Sequence, residues 1–388
     1  MKILILGYGA VGSVLCKLLS KERSIKSIVC GDIKKIKKVR NKKIQFKKID
    51  VSNKNQLLNF FKNTNPDLVI NSSLPNFNVN ILECCLQEKI NYIDLASYWD
   101  FDSNPRARSP YKVEQLCYND KFKQNDLIGL INAGVSPGLT NLLARECADF
   151  LDAIDYIKIR LIEDTKSNEL VFVWSKEWSL DEINWKPLVY QNGKFKIKEN
   201  FSEEEEFNYP HPFGKRKVYL ISQEEVGTIP LFVKTKNLDI KSYDNHIETA
   251  RFLVNLGLTS ERKIMIGKSK ISPVEFLSKV LPSNPNIHKE LKDAVFGLVV
   301  EATGKKNNKA KTVHHSVIFP IQREINKLKL VANFISYPAA LMAKLFILSI
   351  PKIKNRGVFP PECLDKKIRQ SILKQLKRNH ITIFKSYS

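Results

Sequence analysis

A glycine-rich turn directly after a short apolar run constrains the fold of this chain more than any other feature. Residues 2–6 (KILIL) are continuously apolar, which is typical of a strand buried on both faces of a sheet. A turn with three glycines follows, and residues 10–19 have helical spacing. In such a unit Gly7 permits the tight turn, Gly9 lets the backbone approach a pyrophosphate, and Gly12 allows close helix–strand packing. The pattern predicts dinucleotide binding by the residues of the turn: Gly7, Tyr8, Gly9, Ala10, Val11 and Gly12.

Strand-like and helix-like patterns alternate up to residue 131. Further strands are predicted at 27–31, 44–49, 67–71, 92–95 and 127–131, with helices at 54–62, 78–88 and 109–123. Strands joined by crossover helices form a parallel sheet, so the fold class is α/β with an N-terminal doubly wound Rossmann sheet. We assign residues 1–135 to this dinucleotide-binding domain.

The sequence pattern changes near Gly134–Pro137, and strand-like stretches dominate after it. Pro137 is expected in the first turn of a helix that runs to about residue 150. We assign residues 136–388 to a second α+β domain with a mixed sheet, which serves substrate binding or dimerisation. Its predicted strands are 156–162, 170–174, 188–190, 194–197, 217–221, 228–233, 295–302 and 312–319, and its predicted helices are 245–255, 273–280 and 338–350.

The ends of the next strands supply the other predicted cofactor contacts. Asp32 follows Gly12 by 20 residues, where a carboxylate accepts hydrogen bonds from the adenosine ribose and repels a 2′-phosphate. Lys34 and Lys35 could neutralise such a phosphate, so we favour NAD and keep NADP as the alternative. Asp50 fits equally well as a helix N-terminal residue. The cofactor contacts predicted at these strand ends are Asp32, Ile33, Asp50, Val51, Ser72, Ser73, Leu74 and Pro75.

Proton transfer and carboxylate binding have several candidates. Asp94 and Tyr98 follow the fifth strand, at the edge of the sheet where ligands bind, although a turn-capping acid and a packed aromatic ring are equally good interpretations. Lys176 is the third candidate proton donor. Arginines that could hold substrate carboxylates, or form ordinary ion pairs, are Arg145, Arg251 and Arg323.

Several motifs resemble the saccharopine dehydrogenase-like oxidoreductases. They are GYGAVG, DLVINSSLPNFNVNILECCLQEKINYIDLASY, NAGVSPGLTNLLA, GLVVEATG and YPAALMAKLF followed by GVFPPECL, so the similarity extends from Lys2 to about Leu364. The resemblance implies an NAD(P)-dependent enzyme that oxidises an amine or reduces an imine in amino-acid or polyamine metabolism. A reductase of another double bond, such as an enoyl group, and a non-catalytic NAD(P)-binding sensor are the alternatives.

The resemblance also implies a substrate-binding segment at the domain junction. A helix beginning there could direct its N–H groups at a substrate carboxylate. It further implies that about the last 50 residues pack back on the Rossmann domain. The resemblance implies Gly134, Ser136, Pro137 and Gly138 as residues of the substrate-binding segment. Thr140 and Asn141 are candidate side-chain donors to the substrate, and a helix-cap role is an equally good interpretation of them.

Charge and cysteine content narrow the class of partner. The chain has 63 Lys and Arg against 40 Asp and Glu, a net charge of +23, but no nucleic-acid-binding motif. We expect a basic solvated helix face after Asp365, with a docking patch as the alternative, and a di- or tricarboxylate substrate. The seven cysteines lack CxxC spacing, which argues against disulfides and a metal site. No apolar run reaches about 18 residues. We therefore expect a cytoplasmic homodimer that binds neither membranes nor nucleic acid.

Overall fold

Helices and strands alternate along the first third of the chain, and strands dominate after it. The computed structural model describes residues 1–35, 41–98, 112–168, 170–173, 179–180, 182–281, 287–379 and 381–388. The strands in these ranges are β1 Lys2–Leu6, β2 Ser27–Asp32, β3 Ile44–Lys48, β4 Leu68–Asn71, β5 Asn91–Asp94, β6 Ile128–Leu130, β7 Ala153–Asp164, β8 Leu188–Gln191, β9 Lys194–Ile197, β10 Glu205–Tyr209, β11 Gly214–Leu220, β12 Asn237–Asp244, β13 Ile264–Ile266, β14 Ser269–Ile271, β15 Val295–Lys306, β16 Lys309–Ile318, β17 Gly357–Phe359 and β18 Thr382–Tyr387. The α-helices are α1 Ala10–Ser20, α2 Lys54–Thr64, α3 Asn78–Gln87, α4 Asn119–Gln124, α5 Leu139–Ala148, α6 Glu225–Phe232, α7 Ile247–Asn255, α8 Pro273–Val280, α9 Ile287–Glu290, α10 Gln322–Lys327, α11 Ser336–Ser349 and α12 Lys366–Arg378.

The first sheet is parallel and covered on both faces. Its strand order is β17-β6-β5-β4-β1-β2-β3, with β1 in the interior. Because successive strand side chains point to opposite faces, Ile3 and Ile5 pack with α1 and α11, whereas Leu4 and Leu6 pack with α2 and α3. A strand buried on both faces explains the unbroken apolar run at the N-terminus. The predicted doubly wound sheet is confirmed.

The second sheet is mixed, as predicted. Its main path runs β10-β11-β12-β7-β15-β16-β18, and β8 and β9 extend from β12. Strands β12 and β7 are parallel, while β15 is antiparallel to β7. The register sets Glu163 of β7 beside Asp244 of β12 on one side and beside Phe296 of β15 on the other. This alignment fixes which side chains face the first domain.

The chain returns to the first domain before it ends. Strand β17 pairs with β6 and completes the first sheet, and helix α11 packs on α1. Eleven residues of α11 are buried, which accounts for its nearly uniform apolarity. Strand β18 pairs instead with β16 of the second sheet. The last residues therefore lie on the second domain, whereas the family resemblance implied that they pack on the first.

Three local predictions are wrong. The run 228–233 (TIPLFV) has the composition of a strand but lies in α6, where Val226, Thr228 and Ile229 are buried. Residues 170–173 form no strand, and Trp174 and Trp178 lie outside the described residues. Helix α5 begins at Leu139, after Pro137, because Gly138 has φ = +130° and caps it. Tertiary burial and backbone geometry override local propensity here.

Candidate active site

A cavity of about 680 Å³ lies at the carboxyl ends of β1, β2, β4 and β5. Leu161 and Phe296 of the second sheet and Ile335 and Ala339 at α11 close its other side. Ligands bind at this edge in doubly wound sheets, and the volume suits a small-molecule site. The predicted residues that line the cavity are Gly7, Gly9, Ala10, Val11, Asp32, Ile33, Asp50, Val51, Ser72, Ser73, Leu74, Pro75, Gly134 and Ser136.

The glycine turn has the geometry that a diphosphate requires. A Cβ atom at Gly12 would lie 2.1 Å from the carbonyl oxygen of Gly7, so only glycine permits this close packing. At Gly9 a Cβ atom would meet nothing within 4 Å, because the backbone there faces open space. No side chain caps the N-terminus of α1. The first N–H groups of the helix and its dipole are therefore available to an anionic group in the cavity.

Two carboxylates line the cavity close to the ends of β2 and β3. The carboxylate of Asp32 accepts hydrogen bonds from the backbone N–H of Tyr8 at 2.7 Å and of Lys34 at 2.8 Å, which fixes its orientation at the end of β2. Asp50 accepts from the N–H and hydroxyl of Ser52, and these bonds lower its pKa. Asn53, not Asp50, caps α2, so the alternative helix-terminal role of Asp50 is not observed.

The exit of β4 uses its hydroxyl groups to hold the turn. The Ser72 hydroxyl donates to the Gly7 carbonyl oxygen at 2.7 Å, and the Ser73 hydroxyl donates to Oδ1 of Asn71. Asn71 in turn donates to Oδ1 of Asn78 at 2.7 Å. Both asparagines line the cavity, although neither was among the predicted contacts. An asparagine at the last position of a buried strand was the available signal.

The start of α5 does not face a ligand with free N–H groups. The N–H of Gly138 donates to Oδ1 of Asn141, that of Leu139 to the Gly134 carbonyl oxygen, and that of Thr140 to the Val135 carbonyl oxygen. These three N–H groups are therefore not available to a substrate carboxylate. Within the described lining, Gly134 and Ser136 reach the cavity, whereas Pro137, Gly138, Thr140 and Asn141 lie behind its wall.

The predicted proton donors fall in three different places. Asp94 is buried outside the cavity lining, where it accepts from Nε2 of Gln115 at 3.0 Å and from the N–H of Asn132 at 2.7 Å. Burial raises the pKa of Asp94 to about 7 despite these bonds. This position gives Asp94 a role in holding the strand ends. Tyr98 packs edge-on against Trp185 and also lies outside the described lining. Lys176 lies outside the described residues.

The three candidate arginines form ion pairs with carboxylates. Their partners are Asp149 for Arg145, Glu248 for Arg251 and Asp293 for Arg323, at 2.8 Å, 3.2 Å and 3.0 Å respectively. In the described part of the chain, none of the three lines this cavity. Carboxylate binding by these arginines is not supported.

A second cavity of about 190 Å³ adjoins the first and shares four lining residues with it: Leu161, Glu163, Glu182 and Gln223. Asp244 and His246 also line it. Among the described residues the two linings contain five acidic side chains and no lysine or arginine. The described lining therefore lacks the positive charge that the expected di- or tricarboxylate substrate would need, because the net charge of the chain does not describe the cavity.

Glu163 and Asp244 form the acidic centre of this second cavity. They are neighbours on the parallel strands β7 and β12. Burial, followed by the charges of Asp244 and Glu182, raises the pKa of Glu163 to about 8. Burial also raises the pKa of Asp244, whose Oδ1 accepts from the N–H of His246. Carboxyl groups that raise one another's pKa in this way become fully ionised more readily beside a positive charge.

Further carboxyl groups lie behind the cavity wall. Glu224, Glu225 and Glu362 are fully buried, and each has one carboxyl oxygen without a hydrogen-bond partner among the described residues. Adjacent acids inside an apolar stretch, and a glutamate after two prolines, were the signals for them in the sequence. Sequence patterning alone gave no reason to bring them together.

Comparison with known proteins identifies the family. Residues 3–129 match the saccharopine dehydrogenase NADP binding domain and residues 134–381 match the saccharopine dehydrogenase C-terminal domain. The chain belongs to the saccharopine dehydrogenase family. The predicted resemblance is thus confirmed, and the chain is an NAD(P)-dependent oxidoreductase.

Individual relatives and structures agree with this family. The chain is 26% identical over 338 residues to carboxynorspermidine synthase of Vibrio cholerae, covering 81% of this chain and 80% of the relative. It is 26% identical over 387 residues to carboxyaminopropylagmatine dehydrogenase of Synechocystis sp., covering 94% and 93%. The fold matches apo saccharopine dehydrogenase (L-Glu forming) of Saccharomyces cerevisiae with a TM-score of 0.69, at 12% identity over 100% and 99% of the two chains.

The residues of the cavity fit the NAD(P) cofactor of the family. The open backbone at Gly9 and the uncapped start of α1 suit the diphosphate, and Asp32 suits the adenosine ribose. No helix in the described ranges is long and apolar enough to cross a membrane. Dimerisation remains a prediction.

Proposed function

We propose that this oxidoreductase acts on the C–N bond of an amino-acid-derived secondary amine, or of the corresponding imine, whose further amino groups are positively charged. The acidic lining of the second cavity, without lysine or arginine among the described residues, is the observation that carries the proposal. The cofactor supplies or accepts hydride at the reacting carbon. The protein residues orient the substrate and bind its further amino groups in their charged form.

The position of the acids supports a cationic substrate. Glu163 and Glu182 line both cavities, so they lie where the cofactor space meets the second cavity. Asp244 lies deeper, in the lining of the second cavity alone. An ammonium group beside Glu163 and Asp244 relieves the repulsion between their carboxylates and gains charge-assisted hydrogen bonds. A substrate with a distal carboxylate would meet the same acids unfavourably.

The relatives support the same substrate class. Two of them are named for carboxynorspermidine and carboxyaminopropylagmatine, compounds that carry several amino groups. For the cofactor we favour NAD over NADP because Asp32, fixed at the cavity wall, would face a 2′-phosphate. In this proposal Gly134 contacts the substrate or the nicotinamide end of the cofactor.

The proposal is tested by following reduced cofactor with carboxynorspermidine and with saccharopine as substrates, each with NAD and with NADP. We expect carboxynorspermidine to be the better substrate. Turnover of saccharopine alone would contradict the amine-binding role of the acidic cavity. The absence of turnover with any secondary amine would remove the proposed function.

The acids themselves are tested by Glu163→Gln. Removing one charged hydrogen-bond partner, worth about 1.5–3 kcal/mol, raises the KM for the amine about 10- to 150-fold. Glu275→Gln, on the exposed side of α8, is the matched control and leaves the KM unchanged. Because the pKa of Glu163 is raised to about 8, the wild-type KM falls as the pH rises through 8 and more of the carboxylate is ionised. An E163Q variant that keeps this pH dependence would refute the assignment.

A further inference from the structure

Ser136 connects the cofactor cavity with a carboxyl group that solvent does not reach. Ser136 lines the cavity, and its hydroxyl donates to Oε1 of Glu225 over 2.5 Å. Thr140 donates to the same oxygen over 2.7 Å, but from behind the wall. Oε2 of Glu225 is buried without a partner among the described residues. One hydroxyl group thus separates Glu225 from any ligand in the cavity.

The surroundings of Glu225 favour proton storage. The other titratable groups that face it are Glu224, next to it in sequence, and Glu362, from the segment after β17. Glu224 accepts from the N–H of Ser97, and Glu362 accepts from Nδ2 of Asn141. In the described residues no lysine or arginine forms an ion pair with these three glutamates. Burial raises the pKa of each, so the protonated form of each carboxyl group is favoured relative to that of an exposed glutamate.

We propose that Ser136 relays a proton between the substrate nitrogen and Glu225 during the interconversion of amine and imine. This inference rests on the function proposed above. The structural alternative is that Ser136 only caps Glu225 and stabilises the domain junction. The relay requires a hydroxyl on a residue of the cavity wall and a carboxyl group bonded to it, and the structure brings these two groups together.

The step balances in both directions. In amine oxidation an N–H bond of the protonated amine breaks and a new O–H bond forms on Ser136, while the original Ser136 proton moves to Oε1 of Glu225. The neutral amine then loses hydride, with its electron pair, from the adjacent carbon to the oxidised cofactor. The product is the protonated imine. Imine reduction follows the reverse order, with Glu225 as the source of the proton.

The test compares the pH dependence of kcat in four variants of the full-length chain. In the oxidation direction, wild-type kcat rises with pH as Glu225 loses its proton. We expect Ser136→Ala to lower kcat about 100-fold or more and to abolish this rise, because positioned acid–base groups contribute 10²–10⁴-fold, while Ser136→Thr retains it. Glu225→Gln also abolishes the rise while preserving an oxygen that accepts from both hydroxyl groups.

Thr140→Val is the matched control for the relay. It removes the other hydroxyl from the same oxygen without changing the cavity wall. Because that hydroxyl lowers the pKa of Glu225, its loss moves the rise in kcat to higher pH without removing it. Cofactor binding, measured by calorimetry, establishes that each variant is folded.

Two results separate the possible failures. A wild-type enzyme that turns over an amine, with an S136A variant of unchanged pH profile, overturns the relay and leaves the proposed function intact. A wild-type enzyme that turns over no secondary amine contradicts the proposed function first.

Discussion

Replacing Gly12 and Gly9 in turn separates the packing role of the glycine turn from its cofactor-binding role. An added methyl group at Gly12 would lie 2.1 Å from the Gly7 carbonyl oxygen and 2.6 Å from the Ser72 hydroxyl. Overpacking of this kind costs about 1–3 kcal/mol. Displacing Ser72 also breaks its hydrogen bond to Gly7, worth about 1 kcal/mol. We therefore expect Gly12→Ala to lose about 2–4 kcal/mol of stability before any cofactor is added.

Gly9→Ala should behave in the opposite way. Its φ of −81° suits any residue, and the methyl group meets no protein atom within 4 Å. Exchange of a helix N-cap glycine costs about 1 kcal/mol or less. The methyl group instead occupies space beside the uncapped helix start, so loss of one charged hydrogen bond weakens NAD(P) binding about 10- to 150-fold.

Thermal unfolding without cofactor and calorimetric titration with NAD and NADP measure the two effects separately. At about 2–4 °C per kcal/mol, Gly12→Ala lowers the Tm by about 4 °C or more. The reasoning is refuted if G12A has the wild-type Tm, or if G9A binds both cofactors as tightly as the wild type.

Three further predictions concern positions outside the glycine turn. Gly138→Ala destabilises the chain by about 1–3 kcal/mol, visible in thermal unfolding, because φ is +130° and the Cβ atom would lie 2.1 Å from the Gly134 carbonyl oxygen. Glu362→Gln reduces the dependence of Tm on pH, because burial raises the pKa of Glu362 to about 7. The contribution of the protonated carboxyl group to stability is complete below the unfolded pKa, near 4, and is lost as the pH rises through 7. An unchanged slope of Tm between pH 4 and pH 8 would exclude this role. Arg160→Met lowers the free energy of unfolding by about 3–5 kcal/mol in chemical denaturation, because it removes the ion-pair partner that lies 2.6 Å from the buried carboxylate of Asp239. Adding Asp239→Asn to the same chain should recover part of this loss.

The parts of the fold that follow from local sequence could be predicted. The turn after β1 depends on three glycines within six residues, and each has the local environment that the motif requires. The apolar run of β1 follows from burial on two faces, which requires no knowledge of its neighbours. The turn at Gly138 was misjudged, because its positive φ depends on close approach to Gly134 and not on the adjacent proline.

The acidic cavity could not be predicted in the same way. Glu163 and Asp244 come together only through the parallel register of β7 and β12, which are separated by some 80 residues of chain. Ser136 and Glu225 meet across 89 residues. A sum over the whole sequence gives a net charge of +23, yet the cavity carries the opposite character. Position in the fold, and not overall composition, therefore sets the charge of the cavity lining.

Strand β17 lies near the C-terminus and is synthesised late, and this order affects how the nascent chain folds. Strand β6 gains its outer neighbour only when residues 357–359 have been synthesised. The surface of α1 on which α11 packs also stays uncovered until α11 has been synthesised. A nascent N-terminal half consequently has an unpaired sheet edge and an uncovered apolar helix, both of which favour association with other chains. Expression of residues 1–135 alone should yield aggregates, whereas a version joined through a short linker to residues 336–364 should remain monodisperse.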